Sequence, residues 1–247
     1  VLLLDYICEG RIEKGTMPKN AVAVKSLVST PLADAVAANY GVEMRNVLTG
    51  FKWIGDQIAR LEAAGEVERF ILGFEESYGY LAGPYVRDKD AVVGSMLICE
   101  MAAYYKEKGM TLYEALLALY EKYGYYREGV KSLTMKGLEG MERIALIMKT
   151  FRENTPAELG GFKVVVAKDY KTQVFKDLVT GAESGSPLPV SDVLHYTLED
   201  GTWVCIRPSG TEPKLKFYIG VKADSLQAAQ DKVDALNADI DAKIAAI

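Results

Sequence analysis

An arginine, two hydroxyl side chains and a glycine lie close together in residues 207–212, and this combination suits an anion. The guanidinium of Arg207 offers a planar set of N–H donors that matches the oxygens of a phosphate. Ser209 and Thr211 add hydroxyl donors, and Gly210 would let main-chain N–H groups approach a ligand. Spacing alone leaves two interpretations open, a phosphate-binding loop or an ordinary surface turn, because proline, serine and glycine also favour turns.

A second group of polar residues, Glu75, Glu76 and Ser77, follows an apolar run. Two adjacent carboxylates at the end of a strand can accept hydrogen bonds from the neighbouring hydroxyl groups of a sugar, and Ser77 adds a hydroxyl. The alternative interpretation is a solvated acidic turn, since glutamates are mostly exposed.

A run of mixed charge at residues 87–90 forms the third candidate. We expect Asp88 to cap a helix and Asp90 to lie in its first turn, where a carboxylate suits the helix dipole. Lys89 is less expected there, because a cation opposes the dipole. A cation at a helix start makes more sense if an anionic ligand lies nearby, although such runs are usually solvated.

Composition excludes several classes of protein. The chain has 247 residues and a net charge of −5, whereas general nucleic-acid-binding proteins are usually basic. An acidic protein that holds an anion needs a local cationic pocket. We expect no nucleic-acid partner. No apolar run is long enough to span a membrane, so we expect no membrane partner and a cytoplasmic protein.

Cysteine and histidine usage argues against a zinc site. The chain has one histidine, His195, and three well-separated cysteines without a CxxC pair. We expect Cys8, Cys99 and Cys205 to be buried free thiols in a reducing compartment. The chain lacks an initiator methionine and opens within a hydrophobic pattern, which predicts a piece of a longer protein.

The first half of the chain alternates strands with helices, which predicts a layered α/β domain. Strands are expected at 21–28, 42–48 and 69–74, and helices at 30–40, 52–64, 89–108 and 111–122. In such sheets ligands bind beyond the carboxyl ends of the strands. The loops at 49–52 and 75–79 leave such ends and are therefore the first places to look for a site.

The second half has a different pattern, with short strands between turns. Strands are expected at 162–167, 192–197, 203–207 and 215–221, and helices at 141–151 and from 224 onward. This predicts a smaller α+β domain with an antiparallel sheet and helices on one face. We place a helix end from an upstream domain at 1–18, the α/β domain at 19–128 and the α+β domain at 129–247.

Four motifs in a fixed order carry a family resemblance. They read TGFKWIG at 49–55, GFEESYG at 73–79, VRDKD at 86–90 and RPSGTEP at 207–213. The chain resembles the third and fourth domains of the α-D-phosphohexomutase superfamily (phosphoglucomutase/phosphomannomutase), most closely its bacterial α-phosphoglucomutase branch. The resemblance implies a mixed-sheet α/β domain followed by a domain similar to the TATA-box-binding protein.

The resemblance also implies an activity, the interconversion of glucose 1-phosphate and glucose 6-phosphate through a phosphoserine and a hexose 1,6-bisphosphate intermediate. The catalytic serine and the Mg²⁺ loop belong to the family's first two domains, so this chain should be inactive alone and should hold no metal. Phosphomannomutase and phosphopentomutase activities remain alternatives, as does a non-catalytic phosphosugar-binding module.

Individual roles follow from the same resemblance. Arg207, Ser209, Gly210 and Thr211 match the family's loop for the substrate phosphate. The sugar-binding positions are matched by Thr49, Gly50, Glu75 and Ser77. Lys89 matches a lysine near the transferring phosphoryl group, a candidate general acid or base. The implied partners are a phosphosugar substrate and the upstream domains of the same protein.

Overall fold

The computed structural model describes residues 1–210 and 212–247. They form two compact units, Val1–Gly124 and Tyr125–Ile247. The structure therefore divides the chain four residues before the expected boundary at 128/129, and it includes residues 1–18 in the first unit. The second unit was expected to be the smaller one, but the two are nearly equal in length.

A four-stranded mixed sheet lies in the first unit, in the order β2-β1-β3-β4. The first three strands are parallel, and β4 runs antiparallel to β3. The strands are β1 (Val22–Ser26), β2 (Glu43–Val47), β3 (Phe70–Phe74) and β4 (Tyr80–Leu81). The helices are α1 (Leu2–Glu13), α2 (Leu32–Asn39), α3 (Lys52–Ala63), α4 (Ala91–Glu107) and α5 (Leu112–Tyr123), with a 3₁₀ turn at Val67–Arg69.

Burial explains why the central strands are so apolar. Every residue of β1 and of β3 is buried, as expected for parallel strands covered on both faces. The side chains of α3 that face the sheet, Ile54 and Ile58, are completely buried in the same core. This packing fixes the carboxyl ends of the strands, where the candidate residues lie.

Helix α1 packs as an integral part of the first unit. The carboxylate of Asp5 is 7% exposed, and it accepts hydrogen bonds from the hydroxyls of Tyr40 at 2.9 Å and Tyr105 at 3.2 Å. Burial and the adjacent Asp5 both raise the pKa of the two tyrosines, so both remain protonated donors. The two hydroxyls satisfy a carboxylate that would otherwise be costly to bury.

An antiparallel sheet dominates the second unit, in the order β5-β12-β11-β10-β7-β8-β9, with β6 paired to β7. The strands are β5 (Tyr125–Thr134), β6 (Glu158–Leu159), β7 (Phe162–Asp169), β8 (Val174–Asp177), β9 (Glu183–Gly185), β10 (Leu194–Leu198), β11 (Trp203–Pro208) and β12 (Lys214–Ala223). Two helices accompany them, α6 (Gly137–Glu153) and α7 (Leu226–Ala245).

The helices α6 and α7 cover one face of this sheet. Ile147 of α6 and Leu236 of α7 share a core with alternate strand residues such as Ile206 and Phe217. The expected fold class, an α/β mixed-sheet domain followed by an α+β domain, is confirmed. The ten-residue strand β5 was missed, and the expected boundary at 128/129 would cut it.

One prediction about the cysteines is wrong. Cys8 and Cys205 are buried free thiols as expected, but Cys99 lies on an exposed position of α4. Because Cys99 is surrounded in sequence by apolar residues on a helix, its face could not be assigned from composition. Within residues 1–210 and 212–247, we find no helix with the length and apolar character needed to cross a membrane.

Candidate functional site

Three loops meet at one edge of the sheet in the first unit. Strands β1, β2 and β3 are parallel, so their carboxyl ends, at Ser26, Val47 and Phe74, point the same way. Ligands bind at this edge in parallel sheets. The edge carries the expected sugar-binding residues, and their contacts show how they are held.

A hydrogen bond joins the two expected sugar-binding loops. The main-chain N–H of Gly50 donates to Oε1 of Glu75 at 2.6 Å, so residues 25 apart in sequence come together. Gly50 has a φ of 115°, a conformation that favours glycine. Thr49 precedes it and is half-buried. The structure therefore brings Thr49, Gly50 and Glu75 into one group.

Residues 75–79 form a tight turn beyond β3. The N–H of Glu75 donates to the carbonyl of Gly79 at 2.9 Å, and this bond closes the turn. Tyr78 has a φ of 64° and is 89% exposed. A left-handed conformation is uncommon for a residue other than glycine, and such positions often occur at functional sites. Ser77 is exposed at the tip of this turn.

Lys89 lies against the same turn, but it is not in the first turn of a helix as expected. Helix α4 begins at Ala91, and the cap is Asp90, whose Oδ1 accepts from the N–H groups of Val92 and Val93 at 2.9 and 3.0 Å. The expectation that Asp88 caps the helix is therefore wrong, and Lys89 lies before the helix rather than in its first turn. Asp88 instead pairs with Lys89 at 2.8 Å.

The aliphatic stem of Lys89 packs across Gly79. A Cβ on Gly79 would lie 3.0 Å from Cδ of Lys89 and 3.1 Å from the ring of Phe51, so glycine leaves the space that the stem occupies. Nζ of Lys89 is 5.3 Å from the centre of the Phe51 ring, a cation–π distance. The hydrogen bond from Lys89 also lowers the pKa of Asp88.

The last residues of β1 also lie at this edge, and their part in the site was not predicted. Oγ of Ser26, completely buried, donates to Oε2 of Glu76 at 2.7 Å. Residues 21–28, an apolar run, were expected to form one buried strand with no part in the site. The signal that could have identified the site is the polar pair Lys25-Ser26, which interrupts this run where a parallel strand ends.

In the second unit, the expected phosphate loop is the hairpin between β11 and β12. The N–H of Ser209 donates to the carbonyl of Lys214 at 2.7 Å, and Oγ of Ser209 accepts from the N–H of Glu212 at 3.3 Å. Glu212 also pairs with Lys214 at 2.8 Å. Thr211 lies outside the described residues. Among the described residues other than its chain neighbours, none has an atom within 4 Å of a Cβ built on Gly210.

A second cation faces Arg207 and was not predicted. Arg207 of β11 and Lys216 of β12 are direct partners in the antiparallel register. Side chains of such partners lie on the same face, and like charges in this arrangement repel. An anion bound between them would relieve the repulsion. The alternation of polar and apolar residues in 214–217 is the sequence signal that, combined with the hairpin, could have identified Lys216.

A cavity of about 370 Å³ lies on the helix-covered side of this hairpin. Its walls combine Pro208, Ser209 and Gly210 with apolar residues of α6 such as Met141 and Met148. Since alternate residues of a strand face opposite sides, Arg207 and Lys216 point away from this side. Ser209 and Gly210 border this cavity at the end of the hairpin, together with the charged residues Asp192, Glu212 and Lys214, whereas Arg207 and Lys216 do not line it.

The described residues do not provide a metal site. Within residues 1–210 and 212–247, no three His, Cys, Asp or Glu side chains come together in a group that could hold an ion. Asp88 and Asp90, the carboxylates closest in sequence to Lys89, are engaged with Lys89 and with the start of α4.

Comparison with known families identifies both units. Residues 1–123 match the model described as "Phosphoglucomutase/phosphomannomutase, alpha/beta/alpha domain III". Residues 157–238 match "Phosphoglucomutase/phosphomannomutase, C-terminal domain". The two matches occur in the order that the four motifs indicated.

Comparison with individual proteins gives the same result. The chain is 37% identical over 235 residues to a phosphoglucomutase of Staphylococcus aureus (strain bovine RF122 / ET3-1), and 36% identical over 231 residues to that of Staphylococcus haemolyticus (strain JCSC1435). These matches cover 95% and 93% of this chain but 41% of each relative.

A solved structure shares the fold. The open form of the Paramecium phosphoprotein pp63/parafusin, a phosphoglucomutase, superposes with a TM-score of 0.60 at 21% identity, over 98% of this chain and 40% of that one. The resemblance seen in the sequence is confirmed, and the chain belongs to the phosphoglucomutase/phosphomannomutase family, of which it carries domain III and the C-terminal domain.

Proposed function

We propose that this chain supplies the sugar-binding and phosphate-binding residues of an enzyme that interconverts glucose 1-phosphate and glucose 6-phosphate. The chain spans 41% of the length of the phosphoglucomutases that it matches, so the activity belongs to a longer protein. The observation that carries the proposal is the group at the edge of the first sheet, where Gly50 binds Glu75 at 2.6 Å and Lys89 packs against the same turn.

Glu75 and Ser77 are suited to bind sugar hydroxyls. An ionised carboxylate has about four lone-pair sites, so Glu75 keeps acceptor capacity while it holds the N–H of Gly50. Ser77 both donates and accepts from the exposed tip of the turn. Thr49 adds a hydroxyl on the adjoining loop. These groups would bind the sugar in both orientations that a mutase requires.

The hairpin of the second unit would hold the phosphate that is not reacting. Phosphoryl transfer depends on positioning and on stabilisation of charge, so one end of the substrate must be anchored. Arg207 supplies a bidentate cation, Ser209 and Thr211 supply hydroxyls, and Gly210 gives a ligand access to the main chain. Lys216 adds a second positive charge beside Arg207.

Lys89 is the residue proposed closest to the chemistry. Its stem is fixed by Gly79 and Phe51, and its ammonium group lies at the edge that carries the sugar-binding residues. A lysine in this place donates hydrogen bonds to a transferring phosphoryl group and can exchange a proton with the sugar oxygen.

Mg²⁺, the nucleophilic serine and the hexose 1,6-bisphosphate intermediate complete the proposed reaction. The described residues offer no group of carboxylates that fits Mg²⁺, so we assign the metal and the serine to other domains of the same protein. When bound there, the ion would neutralise charge on the phosphoryl group. The role of this chain is to bind and orient the phosphosugar.

Calorimetric titration of the chain with glucose 6-phosphate tests the binding role. We expect weak but measurable binding, and a loss of about tenfold to hundredfold in Arg207→Ala, because charge-assisted hydrogen bonds to the phosphate are removed. Arg127→Ala is the matched control, since Arg127 is an exposed arginine of the same sheet that bonds to Gln230. Equal affinity in wild type and Arg207→Ala would contradict the assignment of the loop.

Activity is tested on a protein in which the chain follows the first two domains of its S. aureus relative. We expect conversion of glucose 1-phosphate to glucose 6-phosphate that requires Mg²⁺, measured with a coupled glucose 6-phosphate dehydrogenase assay. Mannose 1-phosphate and ribose 1-phosphate serve as competing substrates. A folded protein that is inactive on all three would overturn the proposal.

A further inference from the structure

We propose that Ser26 is a positioning residue, which orders the sugar-binding turn through Glu76. The inference rests on the proposed function, because it assigns a role to the turn that carries Glu75 and Ser77. Ser26 itself is completely buried and does not need to touch the sugar. It acts through a chain of hydrogen bonds that starts in the core of the first unit and ends on the turn.

The direction of these hydrogen bonds is fixed by their chemistry. Oγ of Ser26 lies 2.7 Å from Oε2 of Glu76 and 2.9 Å from Oγ of Ser29. An ionised carboxylate only accepts, so the single hydroxyl proton of Ser26 goes to Glu76. Ser29 must then donate to Ser26. Successive hydroxyl bonds of this kind polarise and strengthen one another.

The buried end of the chain is held by a lysine. Lys25 is 2% exposed, and its ammonium group donates to the carbonyl of Ser29 at 3.2 Å and pairs with Asp34 at 3.1 Å. The N–H of Ser29 also donates to the carbonyl of Ser26 at 3.0 Å. The main chain of Ser29 is therefore held at both its carbonyl and its N–H, and its Oγ lies 2.9 Å from Oγ of Ser26.

At the other end, the two adjacent carboxylates are bound by different segments, the loop after β2 and the end of β1. Glu75 accepts from Gly50 at 2.6 Å, whereas Glu76 accepts from Ser26 at 2.7 Å. Neighbouring negative charges repel, and separate partners on either side keep the two apart. The turn between Glu75 and Gly79 is thereby held before ligand arrives. Preorganisation of this kind lowers the ordering cost of binding.

Hydrogen exchange tests the inference without any ligand. We expect Ser26→Ala to speed exchange of the amides at 75–79 by about tenfold, because the turn opens more often once Glu76 loses its donor. Ser95→Ala is the matched control, the same substitution at an exposed position of α4 in the same unit. Unchanged protection of the turn in Ser26→Ala would overturn the inference.

Titration then separates positioning from general destabilisation. Ser26→Ala should weaken glucose 6-phosphate by about tenfold and leave inorganic phosphate unchanged, since the sugar contacts alone depend on the turn. Glu76→Ala should weaken glucose 6-phosphate binding to a similar extent. The double variant Ser26→Ala/Glu76→Ala should bind no more weakly than either single variant, because both changes remove the same hydrogen bond. Glu76→Gln keeps an acceptor oxygen and should recover part of the affinity. Additive losses, or equal weakening of both ligands, would contradict a positioning role.

The test distinguishes this inference from the proposed function. If the wild-type chain binds inorganic phosphate but shows no preference for glucose 6-phosphate, the proposed sugar-binding role fails. The exchange experiment would still decide whether Ser26 orders the turn. Ser26→Cys, which fills the site with a slightly larger group that donates weakly, replaces Ser26→Ala if the alanine variant does not fold.

Discussion

The two candidate regions are built in different ways. At the edge of the first sheet, the contacts join residues distant in sequence, such as Gly50 with Glu75 and Ser26 with Glu76, which lie 25 and 50 residues apart. In the hairpin of the second unit, the contacts are local, as between Ser209 and Lys214. The first region depends on the packing of a whole unit, and the second on one turn.

This difference predicts how each region responds to substitution. In the first region, the polar groups that we assign to the ligand also connect loops, so a change there should affect both binding and stability. In the hairpin, Arg207 and Lys216 lie on neighbouring strands and repel each other. Their replacement should affect binding alone. Substitutions in the first region should therefore change both binding and stability, and those in the hairpin should change binding.

Glu75→Ala should have the largest effect. It removes an assigned sugar ligand and leaves the N–H of Gly50 without its 2.6 Å acceptor. We expect the affinity for glucose 6-phosphate to fall to that for inorganic phosphate, which the hairpin of the second unit would still bind, and the free energy of unfolding to drop by about 1–3 kcal/mol, the cost of an unsatisfied polar group. Urea unfolding and calorimetry measure the two quantities.

Glu68→Ala provides the control for this variant, because Glu68 is an exposed glutamate of the same unit. It should change neither quantity. Loss of binding in Glu75→Ala without loss of stability would show that the Gly50–Glu75 bond does not hold the two loops together.

Lys216→Ala should have a smaller and purely functional effect. We expect inorganic phosphate and glucose 6-phosphate to bind about threefold to tenfold more weakly. Stability should change little, because the relieved repulsion of about 0.2–1 kcal/mol is offset by loss of the contact between the Lys216 ammonium and the Tyr218 ring at 5.9 Å. Titration calorimetry and thermal unfolding report both. Lys222→Ala, on the same strand and exposed, should leave phosphate binding unchanged.

An equal loss in the Lys222 variant would mean that overall charge, rather than the pair with Arg207, attracts the anion. A marked loss of stability in Lys216→Ala would remove the contrast between the two regions.

The same contrast explains which parts could be predicted from sequence. Most elements of the first unit, though not the short strand β4, followed from apolar runs and turn residues, and the RPSGTEP hairpin followed from a local motif. The link from Ser26 to Glu76 could not be predicted, because it requires the strand order β2-β1-β3 that places their loops side by side. Strand β5 was missed since its exposed, charged residues alternate with few buried ones.

The wrong predictions about the start of α4 had a different cause. Asp88 and Asp90 are equivalent candidates for a helix cap by composition, and only the two N–H groups bound by Asp90 distinguish them. The displacement of Lys89 from the helix to the preceding segment follows from that choice. The contact of Lys89 with Gly79 depends on the absence of a side chain at Gly79. The sequence shows the glycine, but it does not show that the Lys89 stem packs against it.

The smallest expected effects are on the pH dependence of stability. Each region contains a carboxylate whose pKa is lowered in the folded protein. Main-chain bonds from Val93 and then the hydroxyl of Tyr85 lower the pKa of Asp90. The hydrogen bond from Lys214 lowers that of Glu212. The folded form binds fewer protons than the unfolded one, so both groups stabilise the fold above about pH 4, the unfolded values. That contribution is lost as pH falls through the folded pKa.

Asp90→Ala and Glu212→Gln should therefore each be less stable than wild type at pH 7, and both differences should be smaller at about pH 2, because acid protonates the two carboxylates of the wild-type protein. Salt distinguishes the two. Added salt at pH 7 should remove the Glu212 difference, because an exposed ion pair is screened, and should largely preserve that of Asp90, which rests on short hydrogen bonds at a helix start. Urea unfolding at both pH values, with and without about 0.5 M salt, measures the difference of each variant from wild type. If salt removed the two stability differences equally, the contribution of Asp90 would be as electrostatic as that of the Glu212–Lys214 ion pair. The hydrogen bonds at the start of α4 would then add no stability of their own.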